Sequence, residues 1–324
     1  MPHKAQARQF ITHLCLDYGI NVQDADLQLI VAGASGRVIM RVLQQGQPSG
    51  VLGVFWTSDR ADNHSFVPAA IGLARSGVRV PGIKCHRSLP NGYGVCLVED
   101  VGPRELLSLK GASFSTLRPF YASALEQVHA LHSMTPDWEL QPAFDASMYR
   151  WEQSYFAEHL LGRHCGLSCT DSSVLPGAVQ MAEFLANLPR VPVHRDFQSQ
   201  NIMLRGDDAW LIDFQGMRYG RAEYDVASLV YDPYMDLAEE QSDCLLREYE
   251  RISGNVVDAD VYYACALQRL MQALGAFSNI GYNQNREWYL SLIPTGVRKL
   301  RQVAARVSVG SPAYDLAIWL LNHV

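Results

Sequence analysis

Apolar positions along this chain keep two rhythms. Phe10, Ile11, Leu14 and Tyr18 recur at helical spacing and Gly19 follows as a stop, which predicts a helix over residues 8 to 18. Strand-like runs come next. Leu27 to Val31 and Val38 to Val42 flank the turn Ala32-Gly33-Ala34-Ser35-Gly36-Arg37, and Val51 to Trp56 follows a Gly/Pro/Ser-rich turn. Phe66, Ala70 and Leu73 mark a helix over 65 to 76 that ends at Gly77, and Ile83 to Cys85 and Val95 to Val98 add two more strands. The expectation is a small antiparallel sheet. Glu99-Asp100-Val101-Gly102-Pro103 then reads as a hinge.

Past residue 103 the spacing turns helical, over 114 to 132, 147 to 161, 176 to 187, 224 to 231, 239 to 252, 258 to 277 and 286 to 307. The exceptions are short strands at Val191-Pro192-Val193, Ile202-Met203-Leu204 and Trp210-Leu211-Ile212, the last two joined by Arg205-Gly206-Asp207-Asp208 as a hairpin. The fold class is therefore α+β: a sheet-based part over residues 1–102 and a mainly helical part over 103–324.

Composition narrows the possibilities. With 324 residues, 48% of them hydrophobic and 19% charged, the chain is long enough for two lobes with separate cores. A net charge of -6 gives no general attraction to polyanions, so nucleic acid is not an expected partner. The N-terminus has no apolar signal core and no stretch reaches membrane-spanning length, so a cytoplasmic protein with no membrane partner is expected. Seven scattered cysteines, an odd number, read as free thiols.

The chemistry lies in Val193-His194-Arg195-Asp196-Phe197-Gln198-Ser199-Gln200-Asn201 and, past the hairpin, Ile212-Asp213-Phe214-Gln215. Phosphoryl transfer asks mainly for positioning and charge neutralisation: a carboxylate to take the hydroxyl proton, and oxygen ligands for magnesium on the phosphates. Asp196 suits the first task; Asn201 and Asp213 suit the second, because magnesium takes hard oxygens and keeps some of its waters. A loop followed by a hairpin brings the chain back to where it left, so Asp213 is expected near Asp196. His-Arg-Asp, the Asn at fixed offset and Asp-Phe after an apolar strand form a set whose meaning is ATP- and magnesium-dependent transfer, with His194 and Arg195 supporting the loop.

These segments resemble the aminoglycoside phosphotransferase and choline kinase family of the two-lobed protein-kinase-like fold. Within it the likeness runs to bacterial kinases that phosphorylate N-acetylmuramate and N-acetylglucosamine at the anomeric position. It extends to Tyr224-Asp225-Val226-Ala227-Ser228-Leu229 and, more loosely, to Gln268-Arg269-Leu270-Met271-Gln272-Ala273-Leu274-Gly275. The resemblance implies an ATP-dependent sugar or amino-sugar kinase of cell-wall recycling, monomeric, with a nucleotide-binding lobe ending at residue 102 and an acceptor site in the helical lobe. It implies that Asp225 is a buried acid bracing the catalytic loop; by itself, an early helix acid can also simply cap free amides. Gly33, Ser35, Gly36, Glu99 and Val101 are expected nucleotide contacts, and Gln198, Gln215, Arg269, Gln272 and Trp288 candidate acceptor contacts.

The chain departs from the kinase pattern in its first lobe. Gly33-Ala34-Ser35-Gly36-Arg37 lacks the full glycine pattern and reads equally as a plain hairpin turn. The third strand, Gly53-Val54-Phe55-Trp56, holds no lysine for the phosphates, and the next helix offers no glutamate partner. Arg37 or Arg60 can supply the charge, although a solvated surface arginine is the plainer reading of each. His159, His164, Cys165 and Cys169 fit zinc spacings loosely and read as surface histidines and free thiols. His129 and His132 read as packing or helix-end residues, and Gln268, Arg269 and Gln272 as either a sugar-orienting face or a solvated one. Two rivals stand beside the sugar kinase. A choline, homoserine or aminoglycoside kinase would be favoured by a cleft walled by Trp288, Tyr282, Asp232 and Asp236; a pseudokinase would follow from the missing lysine.

Overall fold

The structure, a computed structural model, describes residues 3–30, 37–167 and 175–324. The chain opens with helix α1 (Lys4–Asp17) and builds an antiparallel sheet from β1 (Leu27–Ile30), β2 (Val38–Gln44), β3 (Gln47–Trp56), β4 (Ile83–Ser88) and β5 (Gly94–Glu99), ordered β1-β2-β3-β5-β4. Helix α2 (Phe66–Arg75) lies between β3 and β4 in sequence.

The β2–β3 turn is tighter than the Gly/Pro/Ser-rich stretch suggests. Gln44 pairs with Gln47, leaving Gln45 and Gly46 as a two-residue loop, both at positive φ. Such a turn matches the twist of its flanking strands, so Pro48 and Ser49 fall inside β3.

Strand alternation buries both faces of the sheet. Phe55, Val95 and Leu97 pack with Ile11, Leu14 and Cys15 of α1, while Val54, Trp56, Cys96 and Val98 face the opposite way. Gly53 sits under α1: a Cβ there would come 2.3 Å from a methyl of Ile11, so the bare backbone lets the helix settle on the strand.

The helical part comprises α3 (Phe114–Ser133), α4 (Ala146–Phe156), α5 (Ala178–Asn187), α6 (Ala222–Val230), α7 (Glu239–Ser253), α8 (Ala259–Asn283), α9 (Ile293–Ala304) and α10 (Tyr314–His323). Ser113, Asp145 and Asp258 cap α3, α4 and α8 by accepting backbone N–H groups of their first turns. Between α5 and α6 lie β6 (Val191–Val193), the hairpin β7 (Ile202–Arg205) and β8 (Asp208–Leu211), and β9 (Arg218–Gly220), which pairs with β6. Neither β9 nor α10 is predicted above. β9 is three residues long, and α10 carries the run Ala317-Ile318-Trp319-Leu320-Leu321, in which no helical spacing stands out.

The result is an α+β, two-lobed protein-kinase-like fold. Two apolar clusters form, but they do not divide at residue 102. One contains α1, Val22 after it and the face of the sheet beneath the helix. The other begins at Val54, Cys96 and Val98, passes through Ala69, Ala70 and Leu73 of α2, and continues into the helices. Among the described residues no helix is long and apolar enough to cross a membrane.

Candidate active site

Strand β6 delivers the chain to His194-Arg195-Asp196, and the loop is held there from below. Arg195 takes φ 77°, a left-handed conformation uncommon for a side chain of its size. The bend presents two consecutive N–H groups to one fully buried carboxylate. Asp225, in the first turn of α6, accepts His194 N at 2.6 Å and Arg195 N at 2.8 Å. Its Oδ2 also meets His132 Nε2 at 3.1 Å, and His132 Nδ1 meets the Tyr249 hydroxyl at 3.0 Å. His132 is therefore a partner of the loop's acid and not the packing residue of the sequence reading. His194 Nε2 lies 3.0 Å from the Ile212 carbonyl, tying the loop to the strand end before Asp213.

A second acid holds the far end of the loop. Asp232 is buried and accepts Ser199 N at 2.8 Å and Tyr234 N at 2.9 Å; burial pushes its carboxyl up against the pull of these bonds. Asp236 pairs with Arg298 at 2.5 Å. Tyr282 bonds to His164, and Trp288, itself exposed, stacks on Tyr234. Both acids of the imagined cation-binding wall are thus already committed.

Asp196 stands at the opening of this frame with 31% of its side chain exposed. Arg269 Nη2 lies 3.7 Å from Oδ1 and Arg195 Nη1 3.9 Å from Oδ2. Burial would push the carboxyl up, but the charges of Arg195, Arg269, His194 and Arg218 outweigh it and hold the group below its ordinary value. Asn201 Nδ2 donates to the Asp196 carbonyl at 2.9 Å, and Asn201 O accepts Ile212 N at 3.0 Å. The loop over residues 194–201 and the hairpin thereby close on one another.

Asp213 follows at φ 65°, a left-handed position that aspartate tolerates. Its Oδ1 takes Gln215 Nε2 at 3.1 Å and an ion pair from Arg37. Arg37 is only 5% exposed, so the solvated reading of it is wrong: the guanidinium stacks over Phe66, which stacks in turn on Phe214. Arg60 does lie at the surface, against Asp62. The donors fit a hard divalent cation. Asn201 has spent its amide nitrogen on the loop, leaving the oxygen as its ligand end, and Asp213 already draws positive charge.

On α8 the solvated alternative is overturned too. Gln268 is buried and donates to Glu152 Oε2 at 2.9 Å and to the Tyr149 carbonyl at 3.0 Å. Arg269 donates to Ser228 Oγ at 2.8 Å, to Gln198 Oε1 at 3.1 Å and to Gln272. Gln198 and Gln272 thus aim a guanidinium at Asp196. Glu152, which also accepts the Tyr224 hydroxyl at 3.1 Å, is fully buried, and burial pushes its carboxyl up. It went unpredicted, although an acid in register with buried Tyr149 and Phe156 on α4 is a readable signal. Arg218, opposite Val193 across the β6–β9 pair, is buried over the Phe144 ring; its Nη1 meets no acceptor among the described residues.

The remaining expected residues fall as follows. Glu99 ends β5 with its carboxylate on Arg205 Nη1 at 2.5 Å, so a contact with nucleotide would come from main chain; Val101 is buried just beyond. Gly33, Ser35, Gly36 and Cys169 lie outside the described residues. His159 packs edge-on against Tyr155, and among the described residues no group of three or more His, Cys, Asp or Glu side chains could hold a metal ion.

Comparison with known proteins matches residues 26–263 to the phosphotransferase enzyme family. An N-acetylmuramate/N-acetylglucosamine kinase of Pseudomonas aeruginosa is 28% identical over 260 residues, covering 76% of this chain and 74% of the relative. Among solved structures, a choline/ethanolamine kinase family protein from Mesorhizobium loti superposes with a TM-score of 0.62 at 14% identity, over 98% of this chain and 99% of its own. A thermostable mutant of aminoglycoside phosphotransferase APH(4)-Ia, in ternary complex with ADP and hygromycin B, gives 0.55 at 15% identity, over 89% and 98%.

Proposed function

Since the chain belongs to the phosphotransferase enzyme family and is a phosphotransferase acting on a hydroxyl group, we propose that it carries the γ-phosphate of ATP to the anomeric hydroxyl of N-acetylmuramate or N-acetylglucosamine. The observation that carries this reading is Asp196 among Arg195, Arg269 and Arg218. Guanidinium groups this close keep the carboxylate ionised but make it a weak base, and a weak base works best on an acidic hydroxyl. An anomeric hydroxyl belongs to a hemiacetal and is more acidic than an ordinary alcohol. The same cluster argues against a cationic acceptor such as choline or an aminoglycoside, and it accommodates the carboxylate of a muramate.

The contacts support the following roles. Asp196 takes the proton of the attacking hydroxyl, Arg195 and Arg269 hold it ionised, and Asp225 fixes its loop from beneath. Asn201 and Asp213 would hold magnesium. ATP, when bound, supplies the phosphoryl group and leaves as ADP, and the metal would neutralise the charge that builds up on the phosphates. An intact Asp196, Asn201 and Asp213 speak for turnover and against a pseudokinase. A reaction that consumes ATP belongs in the cytoplasm, and we take the protein to act there as a monomer.

An ATP-consumption assay over N-acetylglucosamine, N-acetylmuramate, their 1-deoxy forms, choline and an aminoglycoside tests the proposal. The two parent sugars are expected to react, giving a sugar 1-phosphate without a reducing end, and the 1-deoxy controls are not. A phosphate found on C6 by nuclear magnetic resonance would overturn the anomeric assignment, and turnover of choline alone would overturn the sugar.

A further inference from the structure

We propose that Arg37 does the work of the lysine absent from β3: it grips the nucleotide's phosphates when Asp213 turns to magnesium, and it holds Asp213 when nucleotide is absent. This rests on the reading of Asp213 as a metal ligand.

The inner face of β3 carries Val54 and Trp56, both in the core, and α2 reads Phe-Val-Pro-Ala-Ala-Ile-Gly-Leu-Ala-Arg without an acid. The lysine–glutamate pair that other kinases set over the phosphates is therefore missing from both elements. Arg37 enters from just before β2 and meets a carboxylate 176 residues further along the chain. Its plane is fixed by Phe66, which lies 5.1 Å below the guanidinium carbon, and Phe66 is fixed by Phe214, 5.5 Å away and nearly parallel. Phe214 directly follows Asp213, so Phe66 from α2 aligns the cation before β2 with the segment that carries the carboxylate.

A buried guanidinium is costly without an anion beside it. Asp213 supplies one here. A divalent ion on Asp213 would take up that carboxylate's charge, and phosphate oxygens arriving with it would offer Arg37 an anion in exchange. The fork of a guanidinium matches two such oxygens, where a lysine would meet them as a point charge. Arg60 cannot share this part, because it lies at the surface beside Asp62.

The exchange gives opposite expectations for metal and nucleotide, and a merely structural arginine would not. Binding is read without turnover: calorimetry with magnesium and the non-hydrolysable analogue AMP-PNP, and electron paramagnetic resonance of Mn2+ alone. Arg37→Met is expected to loosen magnesium-AMP-PNP roughly 10- to 100-fold, as for a lost charged hydrogen bond. It is expected to tighten Mn2+ alone, because the competitor for Asp213 has gone. Arg37→Lys, which keeps the charge in case the methionine variant does not fold, should leave Mn2+ affinity near the parent's and lose part of the nucleotide affinity. Unchanged nucleotide affinity in both variants, or metal and nucleotide weakened together, would overturn the exchange. Asp213→Ala separates the premise: if it binds Mn2+ as the parent does, the metal-ligand reading has failed and not the role of Arg37.

Discussion

Oδ2 of Asp225 is shared: His132 Nε2 reaches it at 3.1 Å from α3, and the backbone N–H of His194 reaches it at 2.6 Å from the catalytic loop. Position of the loop is thus set by a helix about sixty residues earlier in sequence. Replacing His132 with Leu strands the Tyr249 hydroxyl and removes one donor from a buried carboxylate, which costs about 1–3 kcal/mol. Thermal unfolding is expected to report that loss, and kcat to fall while KM for ATP holds. An unchanged kcat in a folded His132→Leu protein would show that the loop keeps its place without the histidine.

Asp196→Asn tests the base itself. The amide keeps the shape and loses the proton acceptor, so turnover should drop by roughly 10²- to 10⁴-fold while the fold and nucleotide affinity persist. Steady-state kinetics beside calorimetry decides the matter, and near-normal turnover removes Asp196 from the reaction.

Asp213→Ala takes away the one carboxylate proposed for magnesium. Magnesium-dependent nucleotide binding is expected to weaken about tenfold or more. Titrating parent and variant with magnesium-ATP checks this; equal affinities would place the metal elsewhere.

The charge around Asp196 sets a pH profile. Its carboxyl is held below the ordinary aspartate value in the folded protein. The acid limb of kcat/KM that belongs to this base should therefore lie on the acid side of the ordinary aspartate range. The same depression contributes stability that is present above the unfolded pKa and lost as pH falls through the folded one. Arg269→Gln removes one of the two nearest cations, and the limb is expected to move to higher pH. A limb that stays put in Arg269→Gln would mean that the arginine does not tune the base.

What could be read in the chain was what chemistry and short-range periodicity constrain. His194-Arg195-Asp196, Asn201 and Asp213 stand at fixed offsets within one loop and one hairpin, so neighbouring residues suffice to place them. The supports come from far away: His132 and Glu152 reach the site from α3 and α4, and Arg37 from just before β2. A sequence displays such residues as a histidine on an apolar helix, an acid on another and a loop arginine, each with an ordinary alternative. Burial separates the readings, and burial follows from tertiary packing. Gln268 and Arg269 make the same point, since they occupy helix positions equally suited to water and end up inside the protein. The tight β2–β3 turn was obscured differently: Pro48, Ser49 and Gly50 are loop-forming residues that here belong to a strand.

The hydrophobic packing that passes from β3 and β5 through α2 into the helices bears on how the molecule can be taken apart. Expressed alone, residues 1–102 would lose Phe214 from its stack on Phe66 and Trp138 from the Gly72 side of α2, leaving an oily face with nothing to cover it. The fragment should aggregate rather than fold, and the intact chain should melt in a single step, because the larger cluster is shared between the two halves and breaks when either lets go. Recombining lobes between relatives would then succeed only if the seam residues travel together, which makes the junction, and not the chain crossing near Gly102, the unit of exchange.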